Sequence, residues 1–201
     1  FEIYKIGIGP SRSHTVGPMK AAKSFTTELI TQSLIESTTS IVVDLYGALS
    51  LTGKGHLTDT AIILGLAGND PATVDIEKIP EFMARLERTN RLPMMENKYC
   101  VDFPLETSMN FHTEFLPLHE NGMRIRAYRG EELLLSKTYY SIGGGTIVDL
   151  ESFGQKATST VEVPYPFTSA DELTQHSIDN ALSISALMLK NELCMHSMDE
   201  I

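Results

Sequence analysis

Two short segments of the chain each set a histidine among glycines and polar side chains. The first, residues 7–18, reads GIGPSRSHTVGP and comes directly before a helical pattern. The second, residues 52–59, reads TGKGHLTD and lies between a strand pattern and another helical pattern. The free N–H groups of a helix N-terminus favour an anion, and a neighbouring histidine can transfer a proton near neutral pH. These segments predict a site for a small carboxylate substrate; ordinary capped loops with solvent-facing histidines are the alternative.

A third segment, residues 141–146, reads SIGGGT and ends a strand pattern. Three consecutive glycines in a β pattern cost conformational entropy, and they usually indicate that a ligand or another backbone approaches closely. If the three segments meet, they can hold a carboxylate and place a base near its α-carbon. The candidate proton-transferring residues are His14 and His56. The candidate substrate-binding residues are Ser11, Ser13, Thr15, Lys54, Ser141, Gly143 and Gly144.

The elements that must position these segments alternate between helix and strand in the first part of the chain. Apolar residues at helical spacing predict a helix over about residues 19–33, with the three hydroxyl residues of the first segment as candidate caps. Residues 41–49 predict a central strand, because apolar side chains fall on both of its faces. A short helix follows over residues 61–66 and an exposed one over 77–91. Ligands of open α/β sheets bind at the edge where strands end and helices begin.

Strand patterns dominate the second part of the chain. They cover residues 98–103, 110–117, 123–128 and 133–142. The pair Asn121-Gly122 is a strong hairpin-turn signal and the pair Arg129-Gly130 a weaker one. We therefore expect these strands to form an antiparallel meander on part of the sheet.

The composition changes after residue 150. A polar stretch containing the sequence PYP predicts a linker, and helical patterns follow it, the second over about residues 184–196. The predicted fold class is α/β (α+β), with a mixed sheet and helices over residues 1–150. A linker over residues 151–168 and a truncated helical segment over 169–201 complete the predicted organisation. The helices are expected to open a larger domain that is cut off at the end of this chain.

The charge and the cysteine content exclude several classes of protein. The 201 residues carry a formal net charge of −10, which disfavours binding to nucleic acid or to an anionic membrane surface. The chain has no apolar run long enough to span a bilayer. Cys100 and Cys194 form neither a disulfide framework nor a metal-ligand spacing, so a cytoplasmic setting and buried thiols are expected. The chain opens on Phe1, and we expect its start to be trimmed.

The motifs resemble a known family. The longest are GIGPS-x-SHT-x-GP over residues 7–18 and LYG-x-L-x-LTGKGH-x-TD over residues 45–59, and NGM (121–123) and YYSIGGG (139–145) extend the match. Together they closely resemble the β domain of bacterial iron–sulfur-dependent L-serine dehydratases. The resemblance covers about residues 1–150, and the last stretch looks like the linker and the first helices of that family's α domain.

The resemblance implies deamination of L-serine to pyruvate and ammonia without pyridoxal phosphate. A [4Fe-4S] cluster in the α domain would act as the Lewis acid that takes the serine hydroxyl. His56 would be the base that removes the α-proton, and His14 with the hydroxyls of its segment would bind or orient the substrate. Lys54 and Asp59 are lesser candidates, as is His119. The resemblance further implies a fold like the allosteric substrate-binding domain of phosphoglycerate dehydrogenase, and a homodimer.

Two departures from the family pattern bear on the site. Arg12 and Leu57 stand where small residues, serine and glycine, are usual in the family, so either side chain would narrow the pocket or point outward. The cluster cysteines are also absent, because Cys100 and Cys194 do not match that role. We therefore expect the cluster ligands to lie outside this chain and these 201 residues to be inactive alone.

Two other classes of protein compete with an enzyme. The first is a non-catalytic domain that senses serine or another small molecule, as the resemblance to the allosteric substrate-binding domain implies. A sensor needs no base, so the pairing of His14 with His56 favours the enzyme. The second is a structural dimerisation domain, for which the free edge of the predicted meander is the only support. His112, His176 and His196 are interpreted as structural or surface residues.

Overall fold

The computed structural model describes residues 11–53, 56–151, 153, 163–194 and 197. The chain divides into two units, the larger over residues 2–154 and the smaller over residues 155–201. Among the described residues, no helix combines the length and the apolar character that crossing a bilayer requires. The predicted domain boundaries stay a prediction.

A seven-stranded mixed sheet forms the centre of the larger unit. Its strands are β1 (Ser40–Tyr46), β2 (Arg91–Met94), β3 (Tyr99–Asp102), β4 (Met109–Phe111), β5 (Asn121–Arg129), β6 (Glu132–Gly143) and β7 (Thr146–Asp149). The order is β2-β3-β1-β5-β6-β7, with β4 also beside β1. β1 is parallel to β3 and β4 and antiparallel to β5. The predicted α/β class with a mixed sheet is confirmed.

Helices cover one face of this sheet. They are α1 (Val16–Thr31), α2 (Gly47–Gly53), α3 (Thr58–Leu66), α4 (Ile79–Thr89) and the single turn α5 (Leu105–Ser108). Phe25 and Leu29 of α1 and Ile62 of α3 are fully buried in the same core as Val43 and Leu45 of β1. This core therefore fixes the positions of α1 and α3, whose N-termini follow the two histidine segments.

The predicted central strand is shorter than expected. β1 ends at Tyr46, and Gly47 begins α2, so the prediction of a strand through residue 49 is wrong. Gly47 has φ +55°, a left-handed conformation that favours glycine and turns the chain out of the sheet. Helix α2 thus occupies part of the segment that the sequence predicted as a glycine-rich loop.

The hairpin signal at Asn121-Gly122 is also wrong, because both residues lie in β5. Gly122 leaves room for the Leu116 side chain, since a Cβ on Gly122 would come 2.8 Å from Leu116 Cδ1. Between β4 and β5, residues 112–120 form a loop, so most of the predicted strand over 110–117 is not a strand. The weaker signal at Arg129-Gly130 is confirmed, since it marks the turn that joins β5 to β6.

Two strands escaped the sequence patterns, and both lie at edges of the sheet. β2 contains Pro93, which lacks an N–H and so reads as a breaker, yet an edge strand tolerates it. β7 is only four residues long and follows the three glycines. The cysteines were also misjudged: Cys100 and Cys194 are both exposed.

The smaller unit contains α6 (Ala170–Asp179) and α7 (Ile184–Glu192). Ser169 caps α6, since its side chain accepts a hydrogen bond from the N–H of Glu172. The amide side chain of Asn191 bonds both the N–H and the C=O of Tyr165, at 3.0 and 2.8 Å. Residues 163–168 of the predicted linker are therefore held by the helical unit. The rest of the predicted linker, except residues 151 and 153, lies outside the described residues.

Leu57 has a backbone conformation that is unfavourable for a leucine. This residue precedes α3 with φ +61° and ψ +31°, in the left-handed region where a side chain is unfavourable by about 1–2 kcal/mol. Its side chain is about half exposed. A glycine at this position would relieve strain in the backbone.

We predict that Leu57→Gly raises the free energy of unfolding by about 0.5–1 kcal/mol, because the relief of strain exceeds the extra entropy of glycine in the unfolded chain. Urea denaturation of the purified protein measures this change. Leu51→Gly is the matched control: Leu51 is an exposed leucine within α2, where glycine costs about 1 kcal/mol. A loss of stability in Leu57→Gly equal to that of the control would contradict the prediction.

Candidate active site

The two histidines of the glycine-rich segments lie side by side. The ring centroids of His14 and His56 are 5.1 Å apart, and the ring planes are inclined by 38°. At this separation the rings are in contact, so no ligand fits between them. A ligand must instead bind along one edge of the pair, where both imidazoles can reach it.

The turn before α1 holds His14 in place. The N–H groups of His14 and Thr15 both donate to the carbonyl of Ser11, at 3.2 and 2.9 Å. The Nδ1 atom of His14 lies 3.2 Å from Ser11 Oγ and 3.0 Å from Ser13 Oγ, so two hydroxyls orient the ring. The expected capping is wrong: the hydroxyl of Thr15 donates to the Ser11 carbonyl at 2.7 Å, and no side chain caps α1.

The position of His56 depends on α2. Its Nδ1 atom lies 2.9 Å from the carbonyl oxygen of Thr52. Because a carbonyl oxygen only accepts hydrogen bonds, Nδ1 carries the proton and Nε2 of the neutral ring is an acceptor. This tautomer suits a general base. Lys54, a predicted substrate-binding residue in the same segment, lies outside the described residues.

Burial lowers the pKa of His14 below its ordinary value of 6.5, and the neighbouring charge of protonated His56 lowers it further. The backbone of Ala48 and the carboxylate of Glu120 act in the opposite direction with smaller effect. His14 is therefore neutral at neutral pH. Proximity of the two rings disfavours a state in which both are protonated.

The third segment meets the first through Ser141 and Gly17. A Cβ on Gly17 would lie only 2.2 Å from Ser141 Oγ and 3.1 Å from Ser141 Cβ, so this glycine makes room for the serine. Asn121 supports the same residue, since its Nδ2 donates to the Ser141 carbonyl at 3.2 Å. Ser141 therefore contacts the start of α1, directly after the turn that contains Ser11, Ser13 and Thr15.

The backbone conformation of Gly143 and Gly144 gives a structural reason for these two glycines. With Gly145 they take φ values of +109°, +59° and +80° in the turn between β6 and β7. A Cβ on Gly143 or Gly144 would meet nothing within 4 Å. The space beside these two Cα atoms is open within the described residues, so the positive φ values of the turn are the structural reason for the glycines. Their approach to a ligand stays a prediction.

Buried polar atoms without partners mark this region. Among the described residues, four such atoms belong to the segments that converge here: His14 Nε2, Thr58 Oγ1, Asn121 Oδ1 and Ser141 Oγ. A buried polar group that makes no hydrogen bond costs about 1–3 kcal/mol. A bound polar ligand would satisfy such atoms, so their concentration beside the histidine pair indicates a binding site.

Sequence reasoning missed part of this site. It treated Asn121 as a turn residue and gave no role to Thr58, although both fall within the recognised motifs. Glu120 and His119 come to the site on the loop between β4 and β5, and the Nδ1 atom of His119 accepts a hydrogen bond from the N–H of Asn121 at 3.0 Å. The sequence had named His119 as a lesser candidate, whereas the effect of Glu120 on His14 depends on the pairing of distant elements.

Comparison with known proteins agrees with the family that the motifs resemble. A family model described as "Serine dehydratase beta chain" matches residues 1–152, which is most of the chain. The chain belongs to this family. It is 57% identical to L-serine dehydratase 1 of Escherichia coli K12 over 201 residues and 48% identical to L-serine dehydratase of Haemophilus influenzae over 202 residues. The L-serine dehydratase of Helicobacter pylori is 32% identical over 194 residues.

The chain spans less than half the length of these relatives. The matched region covers all of this chain but 44% of the E. coli and H. influenzae proteins. For the H. pylori protein it covers 94% of this chain and 42% of the relative. The remainder of each relative has no counterpart in the 201 residues.

The lowered pKa of His14 predicts how stability depends on pH. Because folded His14 takes up its proton at a lower pH than the unfolded chain, the unfolded state binds more protons just below pH 6.5. The free energy of unfolding should therefore fall as the pH drops from about 7.5 to about 5.5. In His14→Gln this fall should be smaller, as urea denaturation at both pH values would reveal. His176→Gln, in the smaller unit, is the control and should behave as wild type; an undiminished fall in His14→Gln would refute the assignment.

The contact between Gly17 and Ser141 predicts energetic coupling. Gly17→Ala should lower the free energy of unfolding by about 1–3 kcal/mol through overpacking. In a Ser141→Gly background the same substitution should cost less, by a coupling energy of about 0.5–3 kcal/mol. Gly65→Ala is the control, because its Cβ would meet the carbonyl oxygen of Met19 at 2.2 Å. Gly65→Ala should lower the free energy of unfolding equally in the wild-type and the Ser141→Gly backgrounds. If Gly17→Ala also costs the same in the two backgrounds, Gly17 and Ser141 are not coupled.

Proposed function

We propose that this chain is the β part of an L-serine dehydratase, which converts L-serine to pyruvate and ammonia. The observation that carries the proposal is the contact of His14 with His56 beside buried, unpartnered polar atoms. A carboxylate substrate needs hydrogen-bond donors, and removal of its α-proton needs a base. The names of the relatives agree with this substrate and this reaction.

His56 is the proposed base. The Thr52 carbonyl fixes the proton on Nδ1, so Nε2 of the neutral ring is available to accept the α-proton of serine. His14 is held neutral by burial and by the charge that His56 acquires on protonation. A lowered pKa makes His14 a weaker base than an ordinary histidine, so its proposed role is to hydrogen-bond the substrate while His56 takes the proton.

The substrate carboxylate and amine are proposed to bind beside the histidine pair. Ser141 offers a buried, unpartnered hydroxyl, and Ser11 and Ser13 offer hydroxyls next to His14. The hydroxyl of Thr15 already donates its proton to the Ser11 carbonyl. Thr15 therefore stabilises the turn, and its hydroxyl can only accept a hydrogen bond from the substrate. Lys54 and the N–H groups of Gly143 and Gly144 complete the proposed set.

The described residues do not fit an iron–sulfur cluster. Among them, no three histidine, cysteine, aspartate or glutamate side chains are grouped as metal ligands. Cys100 is exposed beside Arg91, whose Nε donates to its sulfur at 3.5 Å, and Cys194 is exposed in the smaller unit. We propose that a [4Fe-4S] cluster is held by an α domain outside these residues, and that the complete protein is a homodimer.

Substitution of His56 in the full-length protein tests the proposed function. We predict that His56→Asn lowers kcat for L-serine about 10²–10⁴-fold, because the base is lost, while equilibrium binding of L-serine survives within a few-fold. Steady-state kinetics and calorimetric titration of L-serine measure the two quantities. His176→Asn, which removes a histidine of the smaller unit, is the control and should leave both unchanged.

The two measurements separate the enzyme from the sensing domain. Equal loss of binding and turnover in His56→Asn would assign the residue to ligand binding and remove it as the base. Serine binding by a wild-type protein that never turns serine over would favour the non-catalytic sensor.

A further inference from the structure

A second polar cluster lies on the face of the sheet opposite the core. Asp44 of β1 is only 4% exposed, and alternation along the strand directs its side chain away from Val43 and Leu45. Its carboxylate accepts hydrogen bonds from His112 Nε2 at 2.8 Å and from Arg126 Nη2 at 2.5 Å. A buried carboxylate is costly without such partners, so Asp44 holds the side chains of His112 and Arg126 in place.

His112 is held in this cluster by three interactions. Besides its bond to Asp44, its ring stacks on the ring of Tyr46, with centroids 4.8 Å apart and planes inclined by 15°. Its N–H donates to the carbonyl of Leu45 at 2.9 Å. Because His112 is the first residue of the β4–β5 loop (residues 112–120), these interactions anchor the start of that loop to β1.

The same loop covers the N-terminus of α2. The carbonyl of Glu114 accepts from the N–H of Gly47, and the carbonyl of Glu120 accepts from the N–H of Ala48, both at 2.9 Å. The first N–H groups of a helix have no partner within it, so the loop supplies the partners that α2 lacks. A Cβ on Gly47 would lie 2.3 Å from the Glu120 carbonyl oxygen, which shows how closely the loop and helix pack.

The far end of the loop reaches the candidate active site. Glu120 acts electrostatically on His14, and Asn121, the next residue, donates to the carbonyl of Ser141. At its other end α2 carries Thr52, whose carbonyl holds His56. The β4–β5 loop therefore contacts the supports of both histidines.

We infer that His112 is a positioning residue of the active site, which acts by anchoring the β4–β5 loop to the buried carboxylate of Asp44 and the ring of Tyr46. The loop in turn fixes α2, and with it His56, and brings Glu120 and Asn121 beside His14 and Ser141. His112 itself belongs to the Asp44 cluster and needs no contact with substrate. This role rests on the proposed function for its catalytic consequence, but the anchoring is a property of the fold.

Two substitutions of His112 in the full-length protein separate its interactions. His112→Phe keeps a ring for stacking on Tyr46 and removes the donor to Asp44; His112→Gln keeps a donor near the position of Nε2. We predict that His112→Phe speeds amide hydrogen exchange about tenfold in residues 47–53 and 112–120, with exchange in α4 unchanged. It should also lower kcat/KM for L-serine about tenfold, mainly through kcat, because the base is displaced. His112→Gln should restore most of both.

The control is His176→Phe, which removes a histidine whose Nε2 donates to the Pro166 carbonyl in the smaller unit. It should leave exchange in the two segments and turnover unchanged. Slower turnover in His112→Phe without faster exchange in these segments would overturn the inference, as would faster exchange throughout the larger unit or no rescue by glutamine. If the wild type lacks serine turnover, the proposed function fails, and the exchange measurements alone still decide whether His112 anchors the loop.

Discussion

The packing of α1 against α3 is the constraint on which the candidate site depends. Gly65 of α3 lies so close to α1 that a Cβ would come 2.2 Å from the carbonyl oxygen of Met19. Thr26 of α1 adds a buried hydrogen bond to the carbonyl of Leu66 at 2.9 Å. Each helix begins directly after one of the histidine segments, so fixing the two helices on the sheet brings the segments together, and α2 then orients His56 through the carbonyl of Thr52. The contact between His14 and His56 follows from a core that contains neither residue.

The site itself is less favourable than the core that supports it. Buried hydroxyl, amide and imidazole atoms lack partners, two histidines repel each other when charged, and Leu57 holds a left-handed conformation. Such costs are tolerated where the surrounding packing determines the geometry, and they concentrate at functional sites. The same features leave hydrogen-bonding groups available to a ligand. The unpartnered groups that lower the stability of the fold are therefore the ones that can bind a ligand.

A second polar layer on the other face of the sheet completes the support. Asp44 is buried with His112 and Arg126 as partners, and removing one partner of such a group is costly because the charge stays behind. Asp44 lies in β1 between the core residues Val43 and Leu45, and it binds His112, the first residue of the loop that covers α2. The carboxylate therefore joins β1 to this loop. Helix packing and this buried carboxylate thus support the histidines from opposite faces of one sheet.

The sequence by itself determined the kind of protein and the residues worth examining. Glycine-framed histidines and the helical periodicity before and after β1 both depend on neighbours a few positions apart, which is the range over which side-chain periodicity acts. The family resemblance came from the same local motifs. Only the tertiary structure decided that His14 and His56 are in contact, that Gly17 makes room for Ser141, and that Asn121 and Gly122 begin a strand instead of a turn. Those facts depend on which distant segments share the core and the sheet. Many pairings of the segments satisfy the same local patterns, and burial and strand register across the whole larger unit select one pairing among them.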